Sequence, residues 1–472
     1  MKASTYYFFL FTFLLCGLFT VLLGKQGYFA CAIIVWTSLV LYSIKNLNDN
    51  SALLAFLIGF FNFLMGRQIL ERLNMHTVEL VFSEELNIHA ERLICLSLLC
   101  FTIGVILFRK VKFVIGRNKR RYSDATEIAI IRDVSRIFFL FTFPFNMLNV
   151  IDAAAYVLRY GYLAYYTSYS YSLPYIARKL ADISIVAFWI YMATMPRKRE
   201  CRLEIGLYLL YLVTTLLTGK RYPFVSGMLI YFVYATYRNS RPGDEYEKWY
   251  KKRTIILIVL ALPFLVGILS IFNDIRFGKE ITNSSIIDAI TSFVYQQGGS
   301  INFIKRAELY KMQLPENKLY MFGNIIRILK QNAIGRILGS RSYSGNTVDN
   351  ALYGNSMAHA LSYIVLKKAY LEGNGLGSCF IAEAYHDFGY FGVAFVSLFY
   401  GYIFSNWFRF SNNNIWGNAV KFLVLRELIL APRGSVDGFV GRLLDITTWG
   451  TVLIIHFITT SYLKRVKKPV VL

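Results

Sequence analysis

Three stretches of this 472-residue chain hold side chains that could do chemistry together. The first runs Gly373-Asn374-Gly375-Leu376-Gly377-Ser378 and leads into Glu383, His386 and Asp387. Glycines at every second position suit a turn whose backbone N–H groups cradle phosphate oxygens. The run is neither a Walker motif nor a Rossmann fingerprint. Glu383, His386 and Asp387 fall within about one helical turn and offer general bases; they equally make an ordinary polar helix start. The second stretch, Pro432-Arg433-Gly434-Ser435-Val436-Asp437-Gly438-Phe439-Val440-Gly441-Arg442, sets two arginines about a carboxylate. The third, Thr218-Gly219-Lys220-Arg221-Tyr222-Pro223, puts two cations in a tight turn. Gly219 permits a positive φ there, and Pro223 suits the first turn of the following helix. Cations at membrane depth can face a bound anion, or simply snorkel to the interface.

Other signals are weaker. Arg276 follows a hydrophobic run and stands at the same expected depth as Arg221. Lys421, Arg426 and Glu427 lie inside another such run, where a charge at the centre costs roughly 2.5–3.5 kcal/mol, so at least one of them faces a polar interior. Tyr156, Tyr160, Tyr162, Tyr165, Tyr166, Tyr169, Tyr171 and Tyr175 form a tyrosine-rich stretch. It fits sugar stacking or an interfacial aromatic belt. Tyr162 and Tyr166 belong to it, and His359 stands apart in the outer segment. Gly354-Asn355-Ser356-Met357-Ala358 is only a degenerate nucleophile elbow.

Metal chemistry finds little support. The six cysteines, Cys16, Cys31, Cys95, Cys100, Cys201 and Cys379, form no CxxC pair, and the five histidines show no HExxH. Glu383-x-x-His386 has the spacing of a di-iron bundle, but no second copy accompanies it. The expectation is a site with no metal and no cofactor.

The elements that must position these residues follow from composition. The chain is 56% hydrophobic and 17% aromatic, yet carries 51 basic against 28 acidic residues. Disordered chains are charged and poor in aromatics, and soluble domains run about 25% charged, against 17% here. A nucleic-acid binder would explain the charge of +23 but not 39 Phe and 34 Tyr. The fold class expected is an all-α polytopic membrane protein, because a span needs about 20 apolar residues. Apolar runs lie at roughly 6–23, 28–44, 52–66, 92–108, 134–158, 179–195, 205–218, 223–237, 254–272, 388–406, 418–431 and 443–462. They are continuous rather than alternating, which argues against a β-barrel.

With about twelve spans, four basic clusters share one side: Arg109–Arg121, Arg197-Lys198-Arg199, Lys251-Lys252-Arg253, and Lys464 to Lys468. By the positive-inside rule that side, with both termini, is cytoplasmic. Lys2 alone makes a weak signal-peptide n-region, so the first run is read as an uncleaved helix. The chain then divides into an N-terminal bundle (1–272, with a basic cytoplasmic loop 109–133), a long outer segment (273–387), and C-terminal spans (388–472). The outer segment is itself rich in cations, among them Lys305, Lys318, Arg327, Lys330, Arg336 and Arg341. Anions are therefore expected at the outer face.

Four stretches carry a family resemblance: Gly219-Lys220-Arg221, Gly161-Tyr162-Leu163, the Gly-rich run into Phe388-Gly389-Tyr390-Phe391-Gly392, and Arg433-x-x-x-Asp437-Gly438-Phe439-Val440-Gly441-Arg442. On these, and on loop order, the chain resembles the bacterial oligosaccharide repeat-unit polymerases of the Wzy type, a family that includes the enterobacterial common antigen polymerase. The resemblance implies a GT-C-like membrane glycosyltransferase. It would transfer a growing glycan from undecaprenyl pyrophosphate to a new lipid-linked repeat unit, building a surface polysaccharide of the O-antigen or capsule type. It also implies inner-membrane location and, as partners, the lipid-linked oligosaccharide, the bilayer, a chain-length regulator and a flippase, with no nucleic acid. On that reading Arg221, Lys220, Arg276, Arg433 and Arg442 bind the diphosphate, and Tyr162, Tyr166 and His359 are the candidates for glycan contact. Glu383 is the first choice of base, with His386 and Asp437 behind it and His359 in reserve. The rivals are a ligase-like glycan transferase and a flippase, although no internal repeat of the transporter kind is seen.

Overall fold

The computed structural model describes residues 3–76, 79–109, 125–239, 248–251, 253, 286–331, 339, 341, 343–410 and 414–466. Among them there are helices and no strand. Six stretches are long and apolar enough to cross a membrane: Thr5–Lys45, Leu47–Arg72, Glu84–Phe108, Ala125–Tyr160, Phe380–Trp407 and Gly438–Arg465. The protein is thus an integral membrane protein. The first stretch is two helices, Ala3–Leu23 and Gly27–Lys45, packed together across a short turn. Thr12 and Ser38 hydrogen-bond between them at 3.0 Å.

The runs expected at 179–195, 205–218, 223–237 and 418–431 fold as the helices Tyr175–Ala193, Arg202–Leu216, Tyr222–Asn239 and Ile415–Ile429. They fall short of those six in length, charge or apolarity. Arg178, Lys179 and Asp182 charge the first of them, and the second and fourth have 15 residues each. The run at 254–272 lies outside the described residues.

By packing, the chain forms two units. These cuts follow contacts between helices, whereas the segmentation 1–272, 273–387 and 388–472 follows membrane side, so the two divisions differ in kind.

The first unit comprises Met1–Lys112, Lys252–Arg409 and Glu427–Gly441. Its centre is the pairing of Glu84–Phe108 with Phe380–Tyr402. Gly104 and Gly401 let the two backbones touch: a Cβ on Gly104 would lie 3.1 Å from the Gly401 Cα. Small residues at such crossings allow the close approach that packs helices in a bilayer. Ser97 and Ser397 add a hydrogen bond of 2.8 Å across the seam. Phe56, Phe101 and Phe404 fill the adjoining core, with the Phe56 and Phe101 rings stacked at 5.0 Å. The Phe380–Tyr402 helix is broken at Phe388 and Gly389, where Gly389 takes φ +57°. A β-carbon is disfavoured at that φ, so this glycine lets the Phe380–Asp387 turns leave the axis of the span.

The second unit comprises Phe113–Lys251, Phe410–Arg426 and Arg442–Leu472. Ala125–Tyr160 packs along Tyr175–Ala193, and Ile446–Val466 lies against both. An aromatic core holds it: Phe188 stacks on Tyr208 at 4.3 Å and Trp189 on Phe422 at 4.9 Å. The basic loop expected at 109–133 is described at Arg109 and from Ala125 onward.

Candidate active site

In the first unit, four segments far apart in sequence meet around a cavity of about 530 Å³. The Gly-rich run supplies Gly377 and Ser378, and the following helix supplies Glu383. Glu383 is 2% exposed. Its Oε1 accepts from Ser378 Oγ at 2.6 Å and its Oε2 from the Val436 N–H at 2.9 Å. The Val436 carbonyl in turn accepts from Tyr400 Oη at 2.7 Å. Both backbone polar groups of Val436 are therefore fixed, and with them the turn that carries Arg433 and Ser435 into the cavity wall.

Asp437 is equally buried, at 2% exposed. It accepts from Asn324 Nδ2 at 2.8 Å and from the Ile325 N–H at 2.9 Å. Those donors open the helix Gly323–Gln331, so Asp437 caps it from a distant part of the chain, satisfying a helix-start N–H and favouring the positive end of the dipole. Burial raises the Asp437 carboxyl pKa, and the Ile325 and Asn324 donors oppose that rise. Asn324 also donates to Ser435 Oγ at 2.7 Å and accepts from Arg327 at 2.8 Å. One face of this helix, with Asn324, Arg327 and Lys330, lines the cavity.

The remaining wall includes Arg341, Tyr343, Asn355, Ser356 and His359. Tyr370 Oη lies 3.3 Å from the Thr347 carbonyl and shares a hydrogen bond of 2.9 Å with His359 Nδ1. This contact fixes the His359 ring against Tyr370, with the direction of the hydrogen bond set by the imidazole tautomer. Burial and then the Arg327 charge hold the His359 pKa below the ordinary imidazole value. Tyr320 also faces the cavity; its buried hydroxyl has no hydrogen-bond partner among the described residues. Arg327, Lys330, Arg341 and Arg433 thus line one space together with Glu383 and His359. Such a space can take a doubly charged diphosphate and accept a proton from a hydroxyl.

Of the residues singled out in the sequence, Glu383, His359 and Arg433 line the cavity. Asp437 and His386 are not among its lining residues. His386 Nδ1 instead meets Asp387 at 3.0 Å, while Asp387 accepts from the Met321 N–H at 2.8 Å. Arg276 lies outside the described residues. Arg327, Lys330 and Arg341 were visible in the sequence only as members of a cationic segment. The i,i+3 spacing of Arg327 and Lys330 within Gly323-Asn324-Ile325-Ile326-Arg327-Ile328-Leu329-Lys330 was the signal that would have placed them on one helix face.

Lys220, Arg221, Arg442, Tyr162 and Tyr166 belong to the second unit. Gly219 takes φ +73° and closes the turn before Tyr222–Asn239. The Lys220 ammonium sits 3.8 Å above the Tyr165 ring and 5.5 Å from that of Tyr166. Tyr162 and Tyr166 share a hydrogen bond of 2.7 Å between their hydroxyls. Burial, with Arg426 nearby, lowers the Lys220 pKa to about 8. The tyrosine-rich stretch therefore covers this cation, a cation–π arrangement strengthened where water is excluded. Arg442 pairs with Asp445 at 3.3 Å.

No curated protein and no solved structure matches the chain. The family described as O-antigen polysaccharide polymerase Wzy matches residues 4–466. That span is nearly the whole chain, and with the helical membrane architecture and the polar cavity above it shows that this protein belongs to the O-antigen polysaccharide polymerase Wzy family, membrane glycosyltransferases that polymerise lipid-linked repeat units.

Proposed function

We propose that the cavity in the first unit is where an undecaprenyl-pyrophosphate-linked glycan is transferred to the next repeat unit, at the outer face of the cytoplasmic membrane. The product is a surface polysaccharide of the O-antigen or capsule type. The observation that carries this reading is the ring of Arg327, Lys330, Arg341 and Arg433 around Glu383 and His359. In the transfer, an acceptor hydroxyl oxygen bonds to the anomeric carbon of the donor glycan, and the carbon–oxygen bond to the diphosphate breaks. The hydroxyl proton passes to a base, and the polyprenyl diphosphate leaves with its electron pair. Preorganised cations facing the leaving group lower the barrier most where water is scarce. The reaction is accordingly proposed as metal-independent, with guanidinium and ammonium groups meeting the charge of the diphosphate.

Four sequence candidates for the base divide by geometry. Asp437 spends both oxygens on the Gly323–Gln331 helix start, and His386 stands against Asp387. Glu383 lines the cavity, but each oxygen already accepts one hydrogen bond from the turn that bears Arg433 or from Ser378. His359 lines the cavity with its ring held by Tyr370 and is the base we favour, with Glu383 second. Tyr320 and Tyr343 offer hydroxyls for sugars. On the second unit, Lys220, Arg221 and Arg442 remain proposed contacts to anionic substrate, and Tyr162 and Tyr166 proposed contacts to glycan. The arrangement of about twelve spans, the GT-C-like architecture, both termini inside, and a chain-length regulator and flippase as partners complete the proposal.

The experiment is reconstitution of the purified protein in vesicles with lipid-linked repeat units as the sole glycan. Lengthening of the glycan, strongly slowed but still measurable in Arg433→Ala while the protein remains inserted, is the expected result. Wild-type protein that leaves single units unextended, but transfers them once a second, unrelated acceptor glycolipid is added, would establish a ligase-like transferase instead.

A further inference from the structure

We infer that Gln297, a residue outside the cavity wall, is a positioning residue for Arg433. The inference rests on the reading of Arg433 as a diphosphate ligand. Gln297 ends the helix Ile286–Gln297, and its Oε1 accepts from Arg433 Nη1 at 2.7 Å. The guanidinium carbon also lies 5.7 Å from the centre of the Phe63 ring. One edge and one face of the guanidinium are thereby held by groups of the first unit.

The helix end that bears Gln297 is itself unusually well fixed. Tyr295, two residues earlier, is fully buried. Its hydroxyl accepts from Arg67 Nη2 at 2.6 Å and from the Glu79 N–H at 3.0 Å. The Arg67 guanidinium sits 3.8 Å from the Tyr295 ring centre, and the His76 ring stacks on Tyr295 at 3.8 Å. Arg67 is held in turn by Glu71 at 3.0 Å. Gly298 closes the helix through its N–H to the Val294 carbonyl at 2.9 Å, and lies so near Arg67 that a Cβ there would be 3.0 Å from the Arg67 nitrogen. A chain of contacts therefore runs from Arg67 through Tyr295 to Gln297 and ends on Arg433.

The chemistry of the acceptor matters. A carboxylate at this position would orient Arg433 but neutralise it, taking away the charge a diphosphate needs. An amide oxygen orients the guanidinium without adding a countercharge of its own. A long flexible arginine loses rotamer freedom when it binds. A partner that restricts it beforehand removes part of that loss from the binding step.

The test is steady-state polymerisation of lipid-linked repeat units by wild type, Gln297→Met, Gln297→Glu, Arg433→Ala and Arg433→Ala/Gln297→Met, each checked for insertion in the membrane. Gln297→Met, of similar shape but without the acceptor, should lower kcat/KM about tenfold. In the Arg433→Ala background the same change should have no further effect. Gln297→Glu, which keeps the contact, should raise KM for the donor several-fold more than it lowers kcat. Wild-type kinetics in Gln297→Met, or a tenfold loss that persists without Arg433, would overturn the positioning role. Wild-type kinetics in Arg433→Ala would instead defeat the diphosphate reading on which it rests.

Discussion

Asp437→Asn tests whether this carboxylate works through the Gly323–Gln331 helix or in the reaction itself. The helix has nine residues, and isolated helices shorter than about 12–15 residues are marginal, so its order depends on what holds its start. Asp437 accepts two hydrogen bonds there, both from groups of the helix, in a setting where it is 2% exposed. Asparagine keeps one oxygen acceptor but turns an N–H₂ donor toward the other donor. One hydrogen bond to a charged group is worth about 1.5–3 kcal/mol. Losing it should ease local opening of the helix by roughly 10- to 150-fold, since each 1.4 kcal/mol is about a factor of ten. Hydrogen exchange read by mass spectrometry on peptides covering residues 323–331 measures that opening directly. Exchange should accelerate there by that factor, with exchange across Glu84–Phe108 unchanged, and the donor KM should rise because Arg327 and Lys330 ride on the same helix. If polymerisation vanished while exchange in 323–331 stayed at the wild-type rate, the capping role would be refuted and Asp437 would return as a base.

Three further outcomes follow from the same geometry. His359→Gln should reduce kcat by at least about a hundredfold, the lower range for a general base, while Glu383→Gln retains measurable polymerisation; the reverse ranking would return the base to Glu383. Because a base must be unprotonated, activity should fall as pH drops through the His359 pKa, at an inflection below the ordinary imidazole value of about 6.5. Arg327→Gln removes one cause of that lowering and should move the inflection upward; an unmoved inflection would assign it to another group. Lys220 should acetylate with a midpoint near pH 8, because the neutral amine reacts and burial holds its pKa at about 8. Tyr165→Ala uncovers it and should shift the midpoint toward that of ordinary lysines, as mass spectrometry of the modified peptide would report.

The chain's own composition determined the solvent it folds in. Apolar runs of about 20 residues admit few alternatives to spanning helices, because a bilayer leaves no water to satisfy backbone groups. The sequence also pointed to Glu383, Arg433 and Asp437, since charges beside glycines at the edge of apolar runs are costly and stand out. It could not say what each carboxylate touches. Glu383 meets Val436 and Asp437 meets Ile325 across separations of 53 and 112 residues, and such pairings have no local pattern to reveal them. Arg327, Lys330 and Arg341 looked alike among the cations of the outer segment until the fold turned them to one wall. Gln297 carried no sequence signal, being a neutral residue at a helix end. Local periodicity and hydrophobicity belong to neighbouring residues and can be read from order alone. Which polar atom satisfies which depends on distances between remote segments, and only the tertiary structure decides those.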